Sequence, residues 1–168
     1  MIAAVVVPIS AAQADPGDGV RMQNAESRRY LTIGNADNGD GVPAIQWSWL
    51  SGFEQRWNFT KVRDVQGSDW DEWTIKNAHS YDCLAIPASS LRNGTGAIQW
   101  TCGSNNLGGE GIDDQRWWIR ADPILGGYQI INVSSNKCLA IPAGSTTLGV
   151  QAIQWTCAYD PDQRWWIF

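Results

Sequence analysis

Gly96-Ala97-Ile98-Gln99-Trp100 decides the fold, because it is the middle one of three copies. Pro43-Ala44-Ile45-Gln46-Trp47 precedes it by 53 positions, and Gln151-Ala152-Ile153-Gln154-Trp155 follows it by 55. Tyr30-Leu31-Thr32-Ile33 recurs at the same offsets as Cys83-Leu84-Ala85-Ile86 and Cys138-Leu139-Ala140-Ile141. So does Met22-Gln23-Asn24, as Ile75-Lys76-Asn77 and Ile131-Asn132. Self-similarity at a fixed period marks a repeat architecture. A fourth landmark, Gln-Arg-Trp at 55–57, 115–117 and 163–165, is spaced 60 and 48 apart. The misfit is local. Trp47 to Trp57 and Trp155 to Trp165 are ten positions each, whereas Trp100 to Trp117 is seventeen. Seven extra residues around Asn105–Gly111 account for it, and the link from Trp57 to Trp73 is five longer than that from Trp117 to Tyr128. Both insertions are polar or Gly-rich, as surface loops are.

Each copy reads as four short strands separated by turn residues. In the second copy these are 73–77, 83–86, 97–101 and 117–120. Asn93-Gly94 stands between the middle two, where a tight turn needs positive φ, and Asn38-Gly39 occupies the corresponding region of the first copy. Seventeen Gly and seven Pro rule out long helices. Three units, about 20–62, 73–120 and 128–168, give an all-β chain of twelve strands. No unit can bury its own apolar face, so the three close around a shared axis. Trp57, Trp117 and Trp165 are the expected core, and the Gln two positions before each satisfies backbone groups of a turn.

The cysteines keep the same register. Cys83 and Cys102 are 19 apart, as are Cys138 and Cys157, which predicts bridges across the middle hairpins of the second and third units. Tyr30 and Trp49 hold the equivalent positions in the first, predicting an aromatic pair in place of a third bridge.

A net charge of −5 with dispersed charges argues against nucleic acid and anionic lipid as partners. A single histidine, His79, leaves little for a zinc site or a His-activated nucleophile, and its place in a turn makes it a solvated residue. No catalytic acid–base pair, P-loop, metal cluster or cofactor motif stands out, so an enzyme is not expected. Asn35–Gly41 has the composition of a calcium loop but the wrong spacing and no closing Glu. No run of eighteen apolar residues offers a membrane span. Residues 1–14 form a short apolar run ending Ala12-Gln13-Ala14, read as a secretory leader although its basic n-region is missing. The mature chain, 15–168, is then a single extracellular domain in which disulfides are permitted. Asn58, Asn93 and Asn132 begin glycosylation sequons.

Three units each carrying Gln-x-Trp, a Cys-Leu-x-Ile hairpin and a following Gln-Trp-Thr-Cys resemble the ricin B-type lectin domain, from about Val20 to Phe168. The resemblance implies a β-trefoil, with six strands in a short barrel and six in capping hairpins, and a secreted carbohydrate-binding protein with one shallow pocket per repeat. It assigns the sugar-stacking aromatic to Trp47, Trp100 and Trp155. It assigns a polar contact to the acid before the Gln-x-Trp glutamine, here Glu54, Asp114 and Asp162. The family's usual pocket Asp, two residues after the first cysteine, is absent: Thr32, Ala85 and Ala140 stand there. Alternation leaves open which way the indoles face, since Gln46, Gln99 and Gln154 must point oppositely and a buried Gln needs partners. The alternative is a protein-interaction or inhibitory trefoil whose sugar sites have decayed, with Asn105–Gly111 as its contact loop.

Overall fold

The computed structural model describes residues 17–63, 71–103 and 113–168. The expected leader and the 105–111 insertion lie outside these residues. The first repeat supplies β1 (Met22–Asn24), β2 (Tyr30–Ile33), β3 (Ala44–Trp47) and β4 (Trp57–Arg63). The second supplies β5 (Glu72–Asn77), β6 (Cys83–Ala85), β7 (Ile98–Trp100) and β8 (Arg116–Ala121). β9 (Tyr128–Asn132), β10 (Lys137–Ala140), β11 (Ile153–Thr156) and β12 (Trp165–Ile167) complete the third. The second repeat's strands fall within one residue of the expected bounds at each end. Short 3-10 turns are the only helical segments among the described residues.

Six strands pair antiparallel in the order β1-β12-β9-β8-β5-β4. Val20, just before β1, closes the ring by exchanging backbone hydrogen bonds of 3.0 and 2.9 Å with Trp57. The hairpins β2–β3, β6–β7 and β10–β11 cap this barrel. Around the axis Ala44 N–H donates to the Ala97 carbonyl (3.0 Å), Ala97 to Ala152 (2.8 Å) and Ala152 back to Ala44 (2.9 Å). Each bond joins two repeats and the cycle needs all three, so the repeats are folded together. The fold is a β-trefoil.

Trp57, Trp117 and Trp165 are fully buried in the core. Their indole N–H groups donate to the carbonyls of Leu31, Leu84 and Leu139 at 3.1, 2.9 and 2.9 Å, so the one polar atom of each ring is satisfied. The glutamine two before each Trp clips the preceding loop at both ends of its amide. Gln55 accepts from Leu50 N–H and donates to the Ser48 carbonyl; Gln115 does so with Gly103 and Thr101, and Gln163 with Ala158 and Thr156. Buried Asn24, Asn77 and Asn132 donate to the backbone carbonyls of Asp162, Glu54 and Asp114 at 2.8–2.9 Å, each in the neighbouring repeat. Asn132 therefore cannot accept a glycan in the folded chain, sequon or not.

Cys83–Cys102 and Cys138–Cys157 are bridged, with Cα atoms 5.1 and 5.0 Å apart. In the first repeat the Tyr30 and Trp49 rings meet at 5.2 Å between centroids.

Candidate functional site

The direction of the indoles is set by what satisfies the glutamines between them. Gln46, Gln99 and Gln154 are fully buried, and each amide nitrogen donates to two carbonyls of another repeat's hairpin tip. Gln99 bonds Asp37 and Gly39 (2.8 and 2.9 Å), Gln154 bonds Ser90 and Arg92 (2.6 and 2.9 Å), and Gln46 bonds Ser145 and Thr147 (2.7 Å each). Ser80 and Ser135 hydroxyls donate to the Gln99 and Gln154 carbonyl oxygens. The desolvation cost that made an inward glutamine doubtful is thereby met in full at Gln99 and Gln154; at Gln46 the amide nitrogen is satisfied, while its carbonyl oxygen is buried without a partner among the described residues. Trp47, Trp100 and Trp155 consequently face outward, the last two 46% and 45% exposed.

Each outward indole leans on a glycine of another repeat. A Cβ on Gly41, Gly94 or Gly149 would meet the ring carbon Cζ3 of Trp100, Trp155 or Trp47 at 3.7, 3.7 and 3.5 Å. All three glycines have φ of 80–82°, the left-handed region that L side chains avoid. In the first repeat Gly41 fills this role rather than Gly39 of the expected Asn-Gly turn. Asp40, in the same loop as Gly41, accepts hydrogen bonds from the N–H and hydroxyl of Thr101.

Three cavities follow the same symmetry. Trp47 and Glu54 line one of 310 Å³, Trp100 and Asp114 one of 400 Å³, and Trp155 and Asp162 one of 660 Å³. Every predicted aromatic is thus brought to its predicted acid, and Thr32, Ala85 or Ala140 lines the same space. Further lining comes from the turns after β2, β6 and β10, where Asn35, Ala88 and Ala143 have φ of 55°, 54° and 52°. Left-handed backbone at non-glycine residues costs roughly 1–3 kcal/mol and gathers at functional sites. The repeated Ile-Pro-Ala of the second and third copies was a visible sign of these turns.

The three acids are not equivalent. One oxygen of Asp114 accepts from both the N–H and the hydroxyl of Ser89, at 3.1 Å each, while its other oxygen is buried without a partner among the described residues. Glu54 folds its carboxylate over Gly52. Asp162 has Gly144 where Asp114 has Ser89, and the backbone hydrogen bond to its carboxylate comes from its own N–H. Asp160 and Glu26 share its cavity. Burial first, then the charges of Asp160 and Glu26, push the Asp162 carboxyl above its ordinary range.

The trefoil thus sets an outward indole and an acid in each of three symmetry-related cavities. The chain belongs to the ricin-type β-trefoil lectin domain family, which it matches over residues 18–165. It is similar to ThreeFoil, a designed 3-fold symmetric protein, with 25% identity and a TM-score of 0.77 over 91% of this chain and 98% of that one. The exo-β-1,3-galactanase 1,3Gal43A of Clostridium thermocellum is 25% identical with a TM-score of 0.74; the match covers 89% of this chain but 30% of the enzyme. Macrolepiota procera ricin B-like lectin, solved in complex with lactose, shares the fold at 22% identity and a TM-score of 0.70, over 92% of this chain and 97% of that one. No curated protein sequence matches the chain.

Proposed function

We propose that this is a secreted, non-enzymatic lectin that binds carbohydrate through repeat-related pockets, the third of them dominant. The observation that carries the reading is Trp155, an indole 45% exposed in the wall of a 660 Å³ cavity that also presents Asp162. A pyranose has an apolar face of C–H groups, which an indole covers while the hydroxyls stay hydrogen-bonded. No group of the described residues accepts from the indole N–H of Trp155, leaving that donor for ligand or water. Asp162 supplies a charged acceptor, so a hydroxyl bonded there has the stronger, charge-assisted kind of hydrogen bond. Having several pockets compensates for weak single sites.

Titrating the chain with a glycan panel by tryptophan fluorescence tests this. Trp155→Ala is expected to weaken binding roughly tenfold, and Trp100→Ala less. Millimolar sugars that leave every indole unperturbed would refute the lectin reading. The rival, an interaction trefoil with decayed sugar sites, is favoured by Ala85 and Ala140 in the cavities and by Asp114 being tied to Ser89. Under that rival, Trp155→Ala changes no sugar titration.

Asp162 also links binding to stability. Its raised carboxyl takes up a proton more readily in the folded than in the unfolded state. Ionisation therefore costs folding free energy, and stability is lost as pH rises from the ordinary Asp range through the folded-state pKa. Asp162→Asn should accordingly raise the melting temperature at pH 7, give no gain at pH 3, and weaken sugar binding at pH 7. Equal melting shifts at both pH values would exclude this linkage.

A further inference from the structure

The first repeat breaks the threefold pattern in a way that leaves positive charge uncompensated. The arginine of each Gln-Arg-Trp shows it. Arg116 lies 3.4 Å from Glu72 and 3.6 Å from Asp113, and Arg164 lies 3.8 Å from Asp122. Arg56 has no such carboxylate among the described residues. Where the second repeat has Glu72, the first, 53 positions earlier, has Gly19, whose carbonyl accepts from Arg56 at 3.1 Å. Trp49, standing where the other repeats have a bridged cysteine, takes the guanidinium of Arg56 at 5.4 Å and that of Arg21 at 5.0 Å. Arg21 also lies 4.4 Å from the ring of Phe168. Nearby, Arg29 donates to the Ser48 hydroxyl at 3.2 Å. None of these three arginines makes an ion pair with a described residue, although the chain carries a net charge of −5.

Stacking against two rings orients the Arg21 guanidinium, and none of its guanidinium N–H groups bonds to a described residue. A planar cation held by its faces, with its donors unspent, matches an oxyanion edge-on. We infer that Arg21, with Arg56 and Trp49, binds the anionic group of an acidic oligosaccharide, a uronate carboxylate or a sulfate ester. Continuity with the first pocket favours a glycan over an acidic peptide. Tyr30, which stacks on Trp49, is the cross-strand partner of Trp47, and Leu50 lines the cavity of Trp47. A sugar chain seated on Trp47 can therefore extend toward Arg21. The inference rests on the lectin reading and adds the class of ligand to it.

The test is calorimetric titration of the whole chain with an oligogalacturonide and its methyl ester, and with a sulfated and a desulfated galactan oligosaccharide. Polyglutamate serves as the peptide arm. At least one acidic form is expected to bind about tenfold or more tighter than its neutral counterpart, and which one does so identifies the anion. Arg21→Gln should abolish that preference and leave the neutral sugar's affinity unchanged. Tyr30→Cys combined with Trp49→Cys, which installs the bridge of the other repeats, should abolish it as well. Neutral binding without charge preference overturns this inference alone, as does a preference that survives Arg21→Gln. Silence from every sugar overturns the lectin reading with it. Arg21-dependent binding of polyglutamate only would replace the glycan with an acidic protein segment.

Discussion

Trp117→Ala is expected to cost about 3–5 kcal/mol of stability, which is a large part of the 5–15 kcal/mol that a domain usually has. The indole is fully buried, and its removal leaves a cavity bounded by strands of more than one repeat. The Leu84 carbonyl also loses the hydrogen bond it receives at 2.9 Å. Trp117→Phe separates the two effects. It keeps most of the ring but orphans the carbonyl, so roughly 1–3 kcal/mol of the loss belongs to that unpaired group. At about 2–4 °C per kcal/mol for a chain of this size, the Ala variant should melt on the order of 10 °C lower. Trp57→Ala and Trp165→Ala, at equivalent positions, should behave alike. Trp100→Ala, whose ring is 46% exposed, should melt within a few degrees of the parent. Calorimetry of the five variants checks this. Equal effects at Trp117 and Trp100 would mean that the core is not the shared interior described here.

That comparison also shows why the fold was legible from sequence and the site only partly so. Three landmarks at offsets of 53 and 55 define the repeats, and the cysteines sit in the same register, so strands, core and bridges could be read from spacing. The outward turn of Trp47, Trp100 and Trp155 could not. It depends on carbonyls such as those of Asp37 and Gly39, which satisfy Gln99 from 62 and 60 residues away, and no local pattern reports them. The same holds for Asp114, whose engagement by Ser89 depends on a left-handed turn after β6, and for the choice of Gly41 over Gly39. The resemblance named the acids as a set, and each lines a cavity with its indole, but their inequality lies in neighbours such as Ser89 and Gly144. Resemblance marked the pocket residues; the contacts rank them.

Removing both disulfides should destabilise the chain by roughly 6 kcal/mol, since each bridge closes a loop of nineteen positions and contributes about 3 kcal/mol in the chain-entropy model. That sum rivals the whole stability of many domains, so the reduced chain should melt on the order of 12–24 °C lower. The first repeat makes the result informative. Its Tyr30–Trp49 contact has no covalent constraint, so reduction brings the second and third repeats to the condition the first is always in. The bridges also lie two residues beyond Trp100 and Trp155, at Cys102 and Cys157, whereas nothing reducible follows Trp47. Reduction should therefore weaken sugar binding at the second and third pockets well before it affects the first. Cys83→Ala with Cys102→Ala, and Cys138→Ala with Cys157→Ala, should each produce about half the loss in melting temperature. The second pair should carry most of the loss of binding, because it supports the pocket of Trp155 and Asp162. A melting curve indifferent to reductant would contradict the energetic part, and pockets that weaken equally in the two paired variants would contradict the ranking.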